Sequence, residues 1–265
     1  MKNLNKIYKL DKKIVLAPMA GITDGDFCKN YTDLFGITCI GAFNLDSKTD
    51  IASKSILKRG RKEFIYDLED LSEKIVLEIK KAKESKSLVS VNVRFDDFLA
   101  AKKTLVQISK YADIIEINCH CRQEEITNLN LGQNLLKLEN NLKLKEILTQ
   151  IDNLNLKTPI FLKIRANFVN FEELTDSLNN VKDYFEGIHI DCFNPKKNYP
   201  DLDYLKKVWE NFNEKIIIGN NSVNSIESAK KMIEYCDFVS VARSVISKNI
   251  EWIYEFNKLM SETKK

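Results

Sequence analysis

Short runs dominated by Ile and Val alternate with longer stretches in which apolar positions recur every three or four residues, and the alternation continues along the chain. Eight runs read as strands, at 14–18, 38–42, 89–93, 114–118, 160–164, 187–190, 216–219 and 238–241. Helical periodicity lies between and after them, at 25–34, 71–85, 97–111, 142–153, 171–184, 202–211, 225–235 and 251–261. The strand runs are nearly all apolar rather than alternating, which fits parallel strands covered by helices outside and packed against one another inside a barrel. Eight successive βα units predict an α/β fold, a closed TIM (β/α)8 barrel. A doubly wound open sheet would carry a glycine-rich dinucleotide turn after its first strand, and none is present. One long connection, about 43–88, reads as an insertion holding a short helix at 48–57, a basic turn, an extended piece and the helix at 71–85. No Gly-, Ser- or Pro-rich linker divides the chain, so 1–265 reads as a single domain.

Composition narrows the function classes. Hydrophobic residues make up 44% and charged residues 30%, with both signs interspersed, as in an ordinary folded domain. A net charge of +3 is too small for a protein that coats polyanions, so any nucleic-acid contact has to be local. The longest charge-free run, 34–45, falls well short of the roughly 20 residues that span a bilayer, and no membrane partner is expected. The amino terminus lacks an apolar signal segment, so the expected location is the cytoplasm, where the six cysteines stay reduced.

In such a barrel the chemistry gathers at the carboxyl ends of the strands. The first strand ends with Ala17, Pro18 and Met19, followed by small residues that let a flat ligand approach closely; as a plain turn, Thr23 or Asp24 would cap the next helix. The fourth ends Asn118-Cys119-His120-Cys121-Arg122. Its cysteine spacing does not match a structural zinc site, and no metal is expected. A partly exposed thiol there can serve as nucleophile or general acid, a buried one as a small hydrophobe, and the motif alone leaves these open. The fifth strand ends with Lys163 and Arg165, two apart and on one side, a pair that calls for an anion. The sixth brings His189, which could bond a ring carbonyl or be a satisfied barrel residue. Gly219-Asn220 and Ala242-Arg243 close the last two strands and form a candidate phosphate cradle, with Ser222 and Ser244 as ordinary caps in the plainer reading.

Together the segment Leu16-Ala17-Pro18-Met19-Ala20-Gly21-Ile22-Thr23-Asp24, Asn118 to Cys121, Lys163 to Arg165, His189, Gly219-Asn220 and Ala242-Arg243 resemble the tRNA-dihydrouridine synthases in order and strand position, over about residues 12–250. The resemblance implies flavin mononucleotide (FMN) at the barrel mouth, reducing the C5–C6 bond of a uracil in tRNA with electrons from NADPH or NADH. It places Ala17, Pro18, Met19 and Asn92, where the family usually has Gln, along the flavin. Lys163 would face the pyrimidine side of the flavin, favouring the anionic reduced form, and His189 would add a second polar contact. Gly219, Asn220, Ala242 and Arg243 would hold the phosphate. Cys121 would give a proton to one uracil carbon as flavin N5 delivers hydride to its neighbour, with Asn118 and Arg165 orienting the flipped-out base. Departures from the family pattern are His120 and Arg122 for Gly and Pro, the missing Glu after strand two, the missing Arg after His189, and Asn221 and Ala242 in place of Gly. The C-terminal helical domain that grips tRNA is not expected, leaving a rim of Lys54, Lys58, Arg59, Arg61, Lys62, Lys196 and Lys197, or a separate RNA-binding partner, for that task. A flavin oxidoreductase acting on a free pyrimidine or a dihydroorotate-like molecule, and a non-catalytic scaffold, are the alternatives.

Overall fold

In the computed structural model, residues 2 and 4–262 are described. The eight expected runs form β1 (Ile14–Leu16), β2 (Ile37–Asn44), β3 (Leu88–Arg94), β4 (Ile114–Cys119), β5 (Ile160–Arg165), β6 (Gly187–Asp191), β7 (Ile216–Asn220) and β8 (Phe238–Val241). All neighbours pair in parallel, and β8 closes onto β1 through Val15 opposite Ser240. This is the TIM barrel that the βα alternation predicts. Acidic or amide side chains start many of the outer helices: Asp24, Asp46, Asp97, Asn170 and Asp201 each accept the backbone N–H three residues on.

Several boundaries move. β1 stops at Leu16, because Pro18 has no N–H to extend the ladder, although Ala17 still donates to the Val241 carbonyl at 2.9 Å. The helix expected over 25–34 is confined to Gly25–Lys29, and that expected over 171–184 ends at Asn179 before a separate 3-10 turn. β2 runs on through Asn44, so the insertion begins later than position 43. The extended piece after its first helix, Ser47–Lys58, joins no sheet; instead Phe64 and Tyr66 pack on Phe43, with ring centroids 5.2 and 5.8 Å away.

Strand alternation sorts the lumen into layers. Val15, Ile37, Ile114, Phe161, Ile216 and Phe238 fill its lower part, and Ile7 from the short helix Asn5–Tyr8 plugs the base. Two residues further along β4, β5 and β6 stand Glu116, Lys163 and His189, and two further still Asn118, Arg165 and Asp191. An apolar plug therefore supports a polar ceiling at the catalytic end. None of the helices among the described residues is long and apolar enough to cross a membrane.

Candidate active site

Two cavities open above the polar layer. The first, about 410 Å3, is lined by Pro18, Met19, Ala42, Asn92, Asn118, Cys121, Lys163 and Arg165, joined by Arg94 from β3 and the insertion residues Arg61, Lys62 and Glu63. The second, about 550 Å3, lies over the last two strands and is lined by Asn220, Asn221, Ser222, Ala242, Arg243 and Asp191. Both sizes suit a cofactor-sized ligand.

Cys121 is held on three sides. Its N–H donates to Asn118 Oδ1 at 2.9 Å, its carbonyl accepts from Gln133 N at 2.9 Å, and Arg94 Nη1 reaches its Sγ at 3.6 Å. Of the six cysteines it alone is not fully buried. Gly132 closes the loop with φ +60°, and a Cβ there would come within 2.3 Å of the Cys121 carbonyl oxygen. Gly132→Ala is therefore expected to cost about 1–3 kcal/mol in chemical denaturation and to change the rate at which iodoacetamide alkylates Cys121.

Arg94 donates to Asn44 Oδ1 at 2.6 Å and Ser53 Oγ at 2.6 Å, and forms a buried ion pair with Glu63. That pair ties the insertion down beside the thiol. A second knot lies at Asp191, which accepts from His120 Nε2 at 2.9 Å, Arg165 Nη1 at 2.9 Å and Asn221 Nδ2 at 2.7 Å. Burial opposes ionisation of Asp191, yet those donors hold its carboxyl well below the usual range. Burial also lowers the pKa of His120, so the ring is neutral and donates to the carboxylate. Asn221 adopts φ +116°, the conformation for which glycine is favoured, so its departure from Gly keeps the backbone turn and adds a bond to Asp191.

Between the cavities runs a continuous polar rail. Asn118 Nδ2 donates to Asn92 Oδ1 at 2.9 Å, Asn92 Nδ2 to Glu116 at 2.7 Å, His189 Nδ1 bonds Glu116 at 2.7 Å, and Ser240 Oγ lies 2.6 Å from His189 Nε2. Asn220 Nδ2 completes it with a 2.5 Å bond to Ser240 Oγ. Burial and the Lys163 charge push His189 down to about 4. Burial alone would raise Glu116, but His189 and Lys163 lower it, so the carboxylate is ionised and the imidazole neutral. With His189 below its ordinary 6.5, the unfolded chain binds a proton that the native chain refuses. Stability is then expected to fall by about 3 kcal/mol as pH drops from 6.5 to about 4, and His189→Gln to flatten that part of a denaturation-versus-pH curve.

The expected residues divide accordingly. Pro18, Met19, Asn92, Asn118, Cys121, Lys163 and Arg165 meet at the first cavity, and Asn220, Ala242 and Arg243 at the second. Ala17, His189 and Gly219 line neither. Ala17 is buried at the end of β1, and both ring nitrogens of His189 are occupied in the lumen. Gly219 faces outward, where a Cβ would meet Met232 at 2.8 Å, so its smallness serves helix packing. Of the expected basic rim, Lys54 pairs with Asp50 and Arg59 with Glu125, while Lys196 and Lys197 border a separate hollow. The sequence reading missed Arg94, Glu63, Glu116 and Asp191. A charged residue inside the apolar run at 116 and another just past the end of the run at 94 were the available signal; Glu63 had none.

The donor set fits flavin mononucleotide. Lys163 is 5% exposed, lines the first cavity, and has no hydrogen-bond or ion-pair partner among the described residues. Such an ammonium calls for an electron-rich ligand. At the second cavity the Arg243 side chain likewise has no partner among the described residues, and the first N–H groups after Ala242 lack helical acceptors.

A family model described as dihydrouridine synthase (Dus) matches residues 15–250. The chain belongs to the dihydrouridine synthase family. As a member of that family it is a flavin-dependent oxidoreductase. The uncharacterized protein MJ0144 of Methanocaldococcus jannaschii is 59% identical over 257 residues, covering 97% of this chain and 98% of its own. Among solved structures, dihydroorotate dehydrogenase (DHODH) of Eimeria tenella in complex with ferulenol aligns with a TM-score of 0.63 at 15% identity, over 95% of this chain and 82% of that one. An aldolase, QR15, gives 0.58 at 14% identity, over 94% and 95%. Likenesses at this identity speak to the fold alone.

Proposed function

We propose that the protein reduces a uracil base of tRNA to dihydrouridine, with NADPH or NADH as the electron source. The observation that carries this reading is Lys163, buried and with no hydrogen-bond or ion-pair partner among the described residues, lining the same cavity as the family's acid thiol at Cys121. Pro18, Met19, Asn92 and Lys163 would hold the ring of FMN, and Asn220, Ala242 and Arg243 its phosphate. Bound there, FMN supplies the hydride equivalent that reduces one carbon of the C5–C6 bond.

Cys121 gives its proton to the neighbouring carbon, and the thiolate left behind lies against the Arg94 guanidinium, whose N–H and charge stabilise it. Water then restores the thiol. Asn118 accepts the N–H groups of His120 and Cys121, so it shapes the acid loop. Arg165 stacks on Phe193 at 4.0 Å and is anchored by Asp191, leaving further N–H donors for a base carbonyl. A paired or stacked uridine has to be extruded to reach this depth.

The test combines purified holoprotein with unmodified tRNA and NADPH under anaerobic conditions, followed by nucleoside mass spectrometry. Dihydrouridine in the tRNA is the expected result. Turnover of free uracil or a dihydroorotate-like molecule, with tRNA unchanged, would overturn the proposal in favour of a small-molecule oxidoreductase.

A further inference from the structure

The donors of the polar rail converge on one residue. Asn118 Oδ1 accepts the N–H groups of His120 and Cys121, so its amide nitrogen has to donate, and Asn92 Oδ1 receives that bond at 2.9 Å. Asn92 Nδ2 in turn donates to Glu116 Oε1. From the other end, Asn220 Nδ2 donates to Ser240 Oγ, whose hydroxyl is left to donate to His189 Nε2, and the Nδ1–H of that neutral ring points at Glu116 Oε2. Both chains of donors end on the same carboxylate.

Glu116 is fully buried in the barrel lumen. Cys39 Sγ lies within 4.8 Å of its carboxylate, but burial, reinforced by the Glu116 charge, pushes the Cys39 pKa up, so that group stays an uncharged thiol. With His189 neutral as well, Lys163 is the cation whose charge offsets Glu116. No hydrogen bond or ion pair joins the two among the described residues, and Lys163 lines the first cavity whereas Glu116 does not. The ammonium is therefore left for a ligand. The carboxylate acts on the same ligand through the poorly screened interior, without touching it.

We propose that Glu116 sets the reducing power of the bound flavin, its fixed negative charge offsetting part of the pull of Lys163. This rests on the reading that the flavin ring lies against Lys163 in the first cavity. A hydride from a nicotinamide brings two electrons and one proton, so the flavin gains one negative charge on reduction and gives it up when the hydride passes to a uracil carbon, the Cys121 proton completing the product. Lys163 favours the charged form and Glu116 opposes it. With the cation alone the electron pair would be held too tightly; the buried carboxylate restores the drive to pass it on. Glu116 contacts neither flavin nor base on this reading and works through its charge.

The midpoint potential of the flavin in the holoprotein is measured anaerobically by equilibration with a reference dye, without tRNA, so that no turnover is needed. Glu116→Gln should shift the equilibrium about tenfold or more toward reduced flavin, which for a two-electron couple is an upward shift of about 30 mV. Lys163→Met should shift it downward, and Glu116→Gln/Lys163→Met should fall between the two. Glu116→Asp keeps the charge and should stay close to wild type. Gln would turn its amide N–H groups toward the Asn92 donor, so Glu116→Ala, which leaves room for water, is the second uncharged variant and should move the potential in the same direction. An unchanged or lowered potential in both uncharged variants would overturn the proposal. So would a Glu116→Asp shift as large as that of Glu116→Gln, which would assign the effect to shape. If Lys163→Met and Glu116→Gln both leave the potential in place, the ring does not lie against Lys163 and the reading beneath the proposal fails with it. The expected shifts in a protein that leaves tRNA unreduced would support the role of Glu116 and count against the proposed substrate alone.

Discussion

Cys121→Ala is expected to slow uracil reduction by about 10²–10⁴-fold, the range that a positioned general acid contributes. The reason is geometric: the thiol stands in a cavity with Lys163 and Arg94, and no other side chain in that lining is a neutral acid of comparable strength. In the proposed reaction, flavin reduction by a nicotinamide needs no proton from Cys121 and should proceed at close to the wild-type rate. Stopped-flow absorbance separates the two half-reactions. Equal loss in both would mean that the substitution disturbs the flavin site and would remove the acid role from Cys121.

The second large effect concerns stability. Arg94→Met should destabilise the protein by about 3–5 kcal/mol, because Glu63, with a side chain only 4% exposed, would keep a carboxylate with no counter-charge. Methionine also gives up the bonds to Asn44 and Ser53. The double variant Arg94→Met/Glu63→Leu should recover much of the loss, since replacing both members of a buried pair removes the stranded charge. Chemical denaturation of the four proteins in this cycle gives the coupling directly. A loss under 1 kcal/mol for Arg94→Met alone would show that water or a neighbouring donor compensates Glu63, and that the insertion is not pinned there.

The barrel was legible because its information is local. Runs such as Ile160–Arg165 and Gly187–Asp191 declare parallel buried strands by composition, and strand ends mark where side chains converge. For the same reason Cys121, Lys163 and Asn118 could be assigned to one mouth. What stayed hidden depends on contacts between distant segments. Glu63 meets Arg94 across 31 positions only because the insertion folds back over the first turn, and nothing in a basic, irregular stretch announces that. Asp191 stands in the segment after His189 that lacks the family's Arg, and its partner His120, which stands where the family has Gly, lies 71 positions away. In the structure the two form one unit: a carboxylate on β6 and an imidazole above β4 that satisfy each other. His189 shows the opposite limit. Its strand position was clear, but whether it faced a ligand or the lumen depended on Glu116 and Ser240 being opposite it.

The most direct test of the central claim is nucleoside analysis of tRNA from cells in which the gene is deleted. Dihydrouridine should disappear from at least one position and return when the wild-type protein is restored, but not when Cys121→Ala is supplied in its place. An unchanged dihydrouridine profile in the deletion strain would contradict the account.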